Sequence, residues 1–449
     1  MTETDQTPAA GGRQLAQLAL PALGVLAAEP LYLLFDTAIV GRLGALSLAG
    51  LAIGGLILGL GSSQLKFLSY ATTARSARHF GAEDLRSAVV EGVQATWLGL
   101  GLGALIVVVV QAAAVPLASA ISGAQPSGLD GGEAIANAAV GWLRIAILGA
   151  PAILVSLAGN GWMRGVQDTG RPLRYVVTGF GLSALLCPLL VYGWLGLPRL
   201  GLAGSAVANL VGQWLAALLF GRALLTERVP LRPERAVLRT QLVLGRDLVV
   251  RTMAFQACFA SAAAVAARFG AAALGAHEVV LQLWNFLALV LDSLAIAAQA
   301  LVGAALGASR TAQAKSVALQ ATTLSAIAAG VLATVFAAGA SALPRLFTND
   351  PAVLTAIGVP WWFLVAQLPV AGIVFALDGV LLGAGDAAFM RTATVISALV
   401  GFLPLTWLSL VFGWGLAGIW SGLTMFMLLR LVLVGWRAAS GRWVATGTM

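Results

Sequence analysis

Twelve apolar segments, each of about 20 residues or more, recur along this 449-residue chain. Apolar segments of this length are typical of helices that cross a bilayer. With 59% hydrophobic and 10% charged residues, the chain also has too little polar sequence to cover a soluble protein of this size. We therefore predict an all-α polytopic membrane protein with twelve transmembrane helices. They are expected near residues 18–41, 49–74, 88–115, 136–160, 173–193, 201–224, 248–267, 272–303, 316–340, 353–382, 392–411 and 414–436.

Basic residues predict the orientation of these helices. On this layout 18 of the 26 Lys and Arg residues fall on the side of the N-terminus, and only Arg42, Arg199, Arg268 and Arg345 fall opposite. Because basic residues accumulate on the cytoplasmic side, both termini are predicted to be cytoplasmic in a multi-pass protein of the cell membrane. The loop 118–133 carries no basic residue and is predicted to lie outside.

The chain contains an internal repeat. At an offset of 226 residues, GRLGALSLAG lies over ARFGAAALGA, which matches Gly44 to Gly270, and the same offset matches Gly81 to Gly307. GWMRGVQD then lies over GVLLGAGD at an offset of 218, and GLAG over a second GLAG at 214. Three blocks in the same order predict two pseudo-symmetric six-helix lobes of like orientation that enclose a central cavity.

The longest basic polar stretch stands at mid-chain and is interpreted as the connector of the two lobes. The predicted layout is a disordered cytoplasmic tail (1–13), an N-lobe (14–225), a cytoplasmic linker (226–247), a C-lobe (248–438) and a second cytoplasmic tail (439–449).

The first predicted helix carries two acids and a proline. A charge at the middle of a spanning helix costs at least roughly 2.5 kcal/mol, so Glu29 and Asp36 must face protein or water. They are seven residues apart and share one helix face, and Pro30 between them is predicted to be a hinge. Desolvation penalises a charged carboxylate, so Asp36 could exchange a proton near neutral pH. The alternative is a structural acid hydrogen-bonded to a neighbouring helix.

Acids also occur in predicted helices of the second half, namely Glu278, Asp292 and Asp378. Each lines a pathway or belongs to a local structural pair. At the 226-residue offset Asp292 is the mate of Lys66, which suggests an ion pair across the cleft, although Lys66 could instead extend to the cytoplasmic interface. Arg251 is predicted to anchor the seventh helix at the inner face.

Two glycine-rich turns, GVQDTGRP and GAGDAAFM, lack the Lys-bearing pattern that cradles nucleotide phosphates. Their Asp168 and Asp386 are predicted to cap the helices that follow. Since the sequence offers no nucleotide-hydrolysing motif, we expect transport to be driven by an ion gradient.

Several stretches together resemble the multidrug and toxic compound extrusion (MATE) transporters, in particular their DinF-like branch. They read EPLYLLFDTAIVGRLG, YATTARSARHFGA, GVQDTGRPL, GLAGSAVANLVGQ, AHEVVLQLW and LDSLAIAAQALVGAALGA. The resemblance covers nearly the whole chain. It implies twelve helices in two lobes and export of organic compounds against a proton or sodium gradient.

The resemblance also implies a coupling acid in the first helix, at Asp36. The family often has an Asn and an Asp in the fifth helix, where this chain has Ser183 and Cys187, and Asn209 stands where a sixth-helix Thr is usual. Without the second carboxylate a sodium site loses a hard ligand, which favours the proton. The predicted cation-coupling residues are Asp36, Glu29, Tyr32, Ser183 and Asn209, and the C-lobe cavity candidates are Glu278, Gln282, Asp292 and Asp378, with Lys66 as a charge partner.

The predicted function is a monomeric secondary antiporter that exports amphipathic or cationic organic compounds in exchange for protons. No metal or other cofactor is expected, and the partners are small organic substrates and membrane lipids rather than nucleic acid. Alternatives are a sodium-coupled exporter, and a flippase for lipid-linked precursors, which would need a cationic cleft where this chain has mostly acids. An enzyme is not expected, because two histidines and scattered acids assemble no catalytic set.

Overall fold

The computed structural model describes residues 12–123 and 131–445, without the side chains of residues 60–64, 131 and 445. Over this part of the chain it consists of helices and contains no strand. The first half contains α1 (Gly12–Gly41), α2 (Ala45–Ser63), α3 (Phe67–Gly81), α4 (Leu85–Ser122), α5 (Gly131–Ala146), α6 (Ala150–Gly165), α7 (Gly170–Tyr192) and α8 (Leu202–Thr226). The second half contains α9 (Arg235–Arg268), α10 (Ala271–Gly307), α11 (Thr311–Ala338), α12 (Pro351–Gly383), α13 (Ala387–Ile396), α14 (Leu403–Phe412), α15 (Gly415–Ala439) and α16 (Arg442–Ala445).

The predicted helical membrane architecture is confirmed. Among the described residues, 11 helical stretches are long and apolar enough to cross a membrane, and these count α5 with α6 and α13 with α14 as single stretches. A shorter apolar helix, Ala45–Gly59, covers the remaining predicted span.

The second predicted span, 49–74, is not one continuous α-helix. A 3-10 turn at Gln64–Lys66 separates α2 from α3. The sequence before the turn is rich in Gly and Ser, which have low helix propensity. The hydropathy of this span is therefore carried by α2 alone, whereas α3 has nearly balanced polar and apolar residues.

The tail 1–13 falls almost wholly outside the described residues, as does much of the loop 118–133. Part of the linker predicted at 226–247 is helical, because α9 begins at Arg235.

Backbone turns repeat with the predicted offset. Gly44 before α2 and Gly270 before α10 both have positive φ, at 114° and 102°, a region that only glycine enters without strain. Glu83 after α3 and Ser309 after α10 have φ of 62° and 58°. The two halves thus share unusual turn conformations as well as sequence, which confirms the pseudo-symmetric repeat.

Contacts divide the chain into two compact units. The first unit comprises Gly24–Ser76 and Asp84–Leu242, and the second comprises the chain from Val243 onward with residues up to Leu23 and the segment Ala77–Glu83. In the second unit one large core forms around Trp361, Trp420, Phe402 and Phe426. In the first unit the buried apolar residues form several smaller clusters, which include those around Trp142 and Trp162.

Two repeat-related glycines meet inside the second unit. A Cβ on Gly81 would lie 1.9 Å from the carbonyl oxygen of Ala304, and one on Gly307 would lie 2.0 Å from that of Arg78. Gly81 thus packs on the backbone three residues before Gly307, and Gly307 packs on the backbone three residues before Gly81. Arg78 also donates a hydrogen bond to the carbonyl of Ala384, so the end of α3 is held by both α10 and the turn after α12.

Candidate ion-coupling site

Asp36 is buried in the first unit, with 1% of its surface exposed. Ser205 Oγ donates a hydrogen bond to Oδ2 at 2.8 Å, and Cys187 Sγ donates to Oδ1 at 3.2 Å. Both donors are uncharged, and no Lys or Arg of the described chain forms an ion pair with this carboxylate. An isolated carboxylate in such surroundings is costly when ionised, because no cation compensates the buried charge.

Glycines on α8 allow this helix to approach α7 closely. A Cβ on Gly204 would lie 2.6 Å from the carbonyl carbon of Leu190 in α7, and one on Gly212 would lie 1.9 Å from Ser183 Oγ. The close pairing of α7 and α8 brings Cys187 and Ser205 to the same carboxylate. Tyr192 at the end of α7 donates a 2.7 Å hydrogen bond to the carbonyl of Ile39, which holds α1 beside it.

Ser205 and Trp142 were not predicted from the sequence. Trp142 Nε1 lies 3.3 Å from Ser205 Oγ and donates a hydrogen bond to it. The serine hydroxyl in turn donates its own hydrogen bond to Asp36. One signal for Ser205 was available, because it lies one helical turn before Asn209 in the motif GLAGSAVANLVGQ. Nothing in the sequence pointed to Trp142, whose role depends on how α5 packs against α8.

Two predicted residues, Tyr32 and Ser183, lie beside Asp36. Tyr32 is one turn away on α1, is buried, and has its ring centroid 5.4 Å from that of Phe180. Its hydroxyl is near Asp36, Cys187 and Ser183, yet neither this hydroxyl nor Ser183 Oγ reaches hydrogen-bond geometry with any described residue. These two buried hydroxyls can therefore form hydrogen bonds with a water molecule or take part in proton transfer.

Within the described part of the chain, neither Asn209 nor Glu29 forms a hydrogen bond with Asp36. Asn209 is buried and accepts a hydrogen bond of 3.4 Å from Gln213. Glu29 is exposed and lines a partly open pocket with an empty volume of about 590 Å³. Other polar lining residues of this pocket are Asn160, Ser156 and Gln213, and Phe180 joins them.

Pro30 is exposed, and α1 remains helical through it. The predicted hinge at Pro30 stays a prediction.

The acids of the second half have different environments. Asp378 is buried and pairs with two arginines: Arg251 Nη2 at 2.6 Å from Oδ2, and Arg430 Nη2 on the same oxygen. Arg251, predicted as an anchor at the membrane surface, is thus a partner of a buried acid. Glu278 and Asp292 are half-buried.

Gln282 and Lys66, the last two predicted site residues, are exposed in their respective units. The proposed Lys66–Asp292 ion pair joins residues of different units and stays a prediction.

Of the two predicted capping residues, one is confirmed and one is wrong. Asp168 Oδ1 accepts from the backbone N–H of Arg171 at 3.0 Å at the start of α7. Burial opposes ionisation of Asp168, but the hydrogen bonds and charge of Arg171 outweigh it and lower the pKa of this carboxyl. Asp386 makes no capping bond to α13. It pairs with Arg437 Nε of α15 at 2.7 Å instead, because this guanidinium offers a charged donor.

The MatE sequence family matches residues 21–189 and 248–408, which together are most of the chain and cover both repeats. The chain belongs to the MatE family. It is 31% identical over 455 residues to the DNA damage-inducible protein F of Escherichia coli (strain K12), covering 96% of this chain and 94% of that protein. It is 32% identical over 447 residues to Protein DETOXIFICATION 44, chloroplastic, of Arabidopsis thaliana, covering 96% and 83%. A probable multidrug resistance protein NorM of Deinococcus radiodurans is 30% identical, with 96% of each chain covered.

Solved structures of MatE family proteins have the same fold. A crystal structure of MATE in the bent conformation superposes with a TM-score of 0.86 at 22% sequence identity, covering 97% of each chain. The eukaryotic MATE transporter AtDTX14 superposes at 0.81 with 16% identity. The predicted family and fold class are therefore confirmed, and members of this family are transporters of drugs and toxic compounds rather than enzymes.

Proposed function

We propose that this MatE family protein is a proton-coupled antiporter that exports amphipathic or cationic organic compounds by alternating access. It acts as a monomer in the cell membrane with both termini cytoplasmic. The observation that carries the proposal is the surroundings of Asp36, a buried carboxylate whose hydrogen-bond donors are all neutral. Because no nearby arginine or lysine holds it ionised, taking up a proton removes a costly buried charge.

The proton is favoured over sodium by the ligands around Asp36. A sodium ion needs several hard oxygen ligands, and a thiol such as Cys187 is a soft ligand that suits it poorly. Among the described residues, no group of three or more His, Cys, Asp or Glu side chains is placed to hold a metal ion. The sodium-coupled alternative therefore depends on ligands that Asp36 does not have beside it.

The same helix connects the proton site with a pocket. Tyr32, one turn from Asp36, packs against Phe180 with the two rings tilted by 33°, and Phe180 lines the pocket that contains Glu29. A carboxylate at the pocket wall favours organic cations. A change in the charge of Asp36 could thus alter Tyr32 packing and the shape of the pocket, so that the proton and the substrate bias the same conformational equilibrium.

The test is export of ethidium, a fluorescent organic cation, from proteoliposomes under an imposed pH gradient or an imposed sodium gradient. The pH gradient should drive export by the wild type and by Asp350→Asn, a matched control in which an exposed cap residue is replaced by another good cap. Asp36→Asn should show no gradient-driven export. Export that follows only the sodium gradient would overturn the proposal.

A second measurement on the same variant separates coupling from a purely structural role of Asp36. Asn at position 36 can still accept a hydrogen bond from Ser205, so we expect Asp36→Asn to fold and to keep ethidium binding, measured by tryptophan quenching. Loss of folding together with transport would instead support the structural alternative.

Adding a second carboxylate beside Asp36 tests directly whether protons or sodium ions drive export. Cys187→Asp adds a hard ligand next to Asp36 and is expected to make export respond to sodium, whereas the matched Cys187→Ser should stay proton-driven. Sodium dependence in the Ser variant or in the wild type would contradict our assignment.

A further inference from the structure

Three charged side chains, two of them buried, meet in the second unit on α9, α12 and α15. Asp378 Oδ2 accepts from Arg251 Nη2 at 2.6 Å and from Arg430 Nη2. Arg430 is 2% exposed and Asp378 is 5% exposed, while the side chain of Arg251 is 16% exposed. Two guanidinium groups therefore share a single carboxylate, which leaves the cluster with one excess positive charge.

No other carboxylate within the described ranges forms an ion pair with Arg251 or Arg430. The remaining neighbours are aromatic: the Arg251 guanidinium lies 5.5 Å from the ring centroid of Phe255, and that of Arg430 lies 5.2 Å from the same ring and 5.7 Å from Phe426. Such cation–π contacts are favourable but weaker than the desolvation of a full charge. The excess charge is therefore only partly compensated by protein.

The cluster also keeps unused hydrogen-bond donors. Arg251 Nε and Arg430 Nε are buried and have no partner among the described residues. Asp378 Oδ1 has no donor either, so the carboxylate uses only one oxygen to bind both arginines. Unfilled guanidinium N–H groups beside an uncompensated positive charge are suited to an anionic acceptor.

We propose that the Arg251–Asp378–Arg430 cluster binds one monovalent anionic group. The group is either a free anion such as chloride or the carboxylate of an organic compound, since both present a single negative charge to the guanidinium edges. Asp378 repels such a ligand and keeps the affinity modest, and the partly exposed Arg251 provides the side of entry. This site is separate from Asp36 and from the pocket with Glu29, so the proposal does not depend on proton coupling.

The test is thermal unfolding of the purified full-length protein, followed by tryptophan fluorescence. Chloride is raised at constant ionic strength by replacing sulfate, a divalent anion that is not a carboxylate, and benzoate is titrated against the same sulfate background in a parallel arm. An anion that binds only the folded state should raise Tm saturably, by about 2 °C at tenfold saturation. A response to chloride identifies a free anion as ligand, and a response to benzoate alone identifies an organic carboxylate.

Variants of Arg251 separate a binding role from a structural role. Arg251→Gln leaves a neutral Asp378–Arg430 pair, so it should abolish the response to both anions while its Tm in sulfate stays at or above that of the wild type. Arg251→Lys keeps the charge and should keep a response. Arg239→Gln changes an exposed arginine of the same helix and should behave as the wild type.

Two results would overturn the proposal. One is a wild-type Tm that does not respond to either anion. The other is an Arg251→Gln protein that responds as the wild type does, or that is destabilised equally in every anion, as a purely structural arginine would predict.

Discussion

Asp36 and Asp378 are both buried carboxylates in transmembrane helices, one in each unit, but their partners differ. Asp36 accepts hydrogen bonds only from a serine and a cysteine, whereas Asp378 binds two arginines. The two guanidinium groups beside Asp378 need its negative charge, because removing it would leave both cations without compensation. A carboxylate with neutral donors can change its charge. Burial alone therefore does not identify a coupling acid. Whether a buried carboxylate can change its charge depends on the charged groups beside it.

The largest expected effect is on coupled export. Asp36→Asn should reduce export driven by a pH gradient to background, because a residue that cannot titrate gives the proton no differential affinity between states. Initial rates of ethidium efflux at matched protein density measure this. If Asp36→Asn retained the wild-type rate, the distinction between the two carboxylates would have no functional meaning.

The second effect is on the free energy of unfolding, which should fall more when Asp378 is replaced than when Asp36 is replaced. Asp378→Ala leaves two buried arginines without an anion and should cost about 3–5 kcal/mol. Asp36→Asn keeps an acceptor for Ser205 and should cost no more than about 1.5 kcal/mol. Chemical or thermal unfolding of the purified variants gives both values, and equal losses would contradict the comparison.

Both sites depend on close helix contacts at glycine, and adding a methyl group tests them. A Cβ on Gly379 would lie 2.1 Å from the carbonyl oxygen of Ala295, and one on Gly212 would lie 2.4 Å from that of Gly179. Gly379→Ala and Gly212→Ala should each cost about 1–3 kcal/mol by overpacking. Gly330→Ala, where a Cβ meets open space, is the control and should be neutral or stabilising.

The donors of Asp36 should tune its pH response. Ser205 donates to the carboxylate and stabilises the charged form, so Ser205→Ala favours the protonated form and should move the midpoint of the pH–export profile upward by about one unit or less. Cys187→Ala removes a weaker donor and should shift the profile less. A downward shift in either variant would mean that these groups do not donate to Asp36.

The smallest effect concerns Asp168, which lies outside the spanning segments. Its pKa is lowered in the folded protein, so its contribution to stability is present above the ordinary pKa of Asp and is lost only as the pH falls toward the lowered value. Between about pH 5 and 8 this contribution is constant, and it does not disturb the Asp36 profile. Asp168→Ala should cost about 1 kcal/mol and Asp168→Asn less, since Asn also caps helices. Unfolding at pH 7 measures both.

Some features of the site could be predicted because they depend on single residues in a known environment. An acid within an apolar span must face protein or water, which selected Glu29 and Asp36 together, and the family resemblance then assigned the coupling role to Asp36. Tyr32 follows one turn away on the same helix. Asn209 was predicted at the site but pairs with Gln213, because which turn of α8 faces α1 is decided by packing. Ser205, one turn earlier, is the residue that reaches the carboxylate.

The sequence by itself determined the membrane fold, the number of spans to within the broken α2–α3 helix, and the twofold repeat with its turn glycines. These follow from hydropathy and backbone conformation, which are local properties. Only the tertiary structure decided which buried charges are neutralised: Asp378 meets Arg251 and Arg430 across 127 and 52 residues of chain, and Asp36 forms an ion pair with no cation of the described chain. Such pairs depend on the packing of distant helices, and no local pattern in the sequence records it.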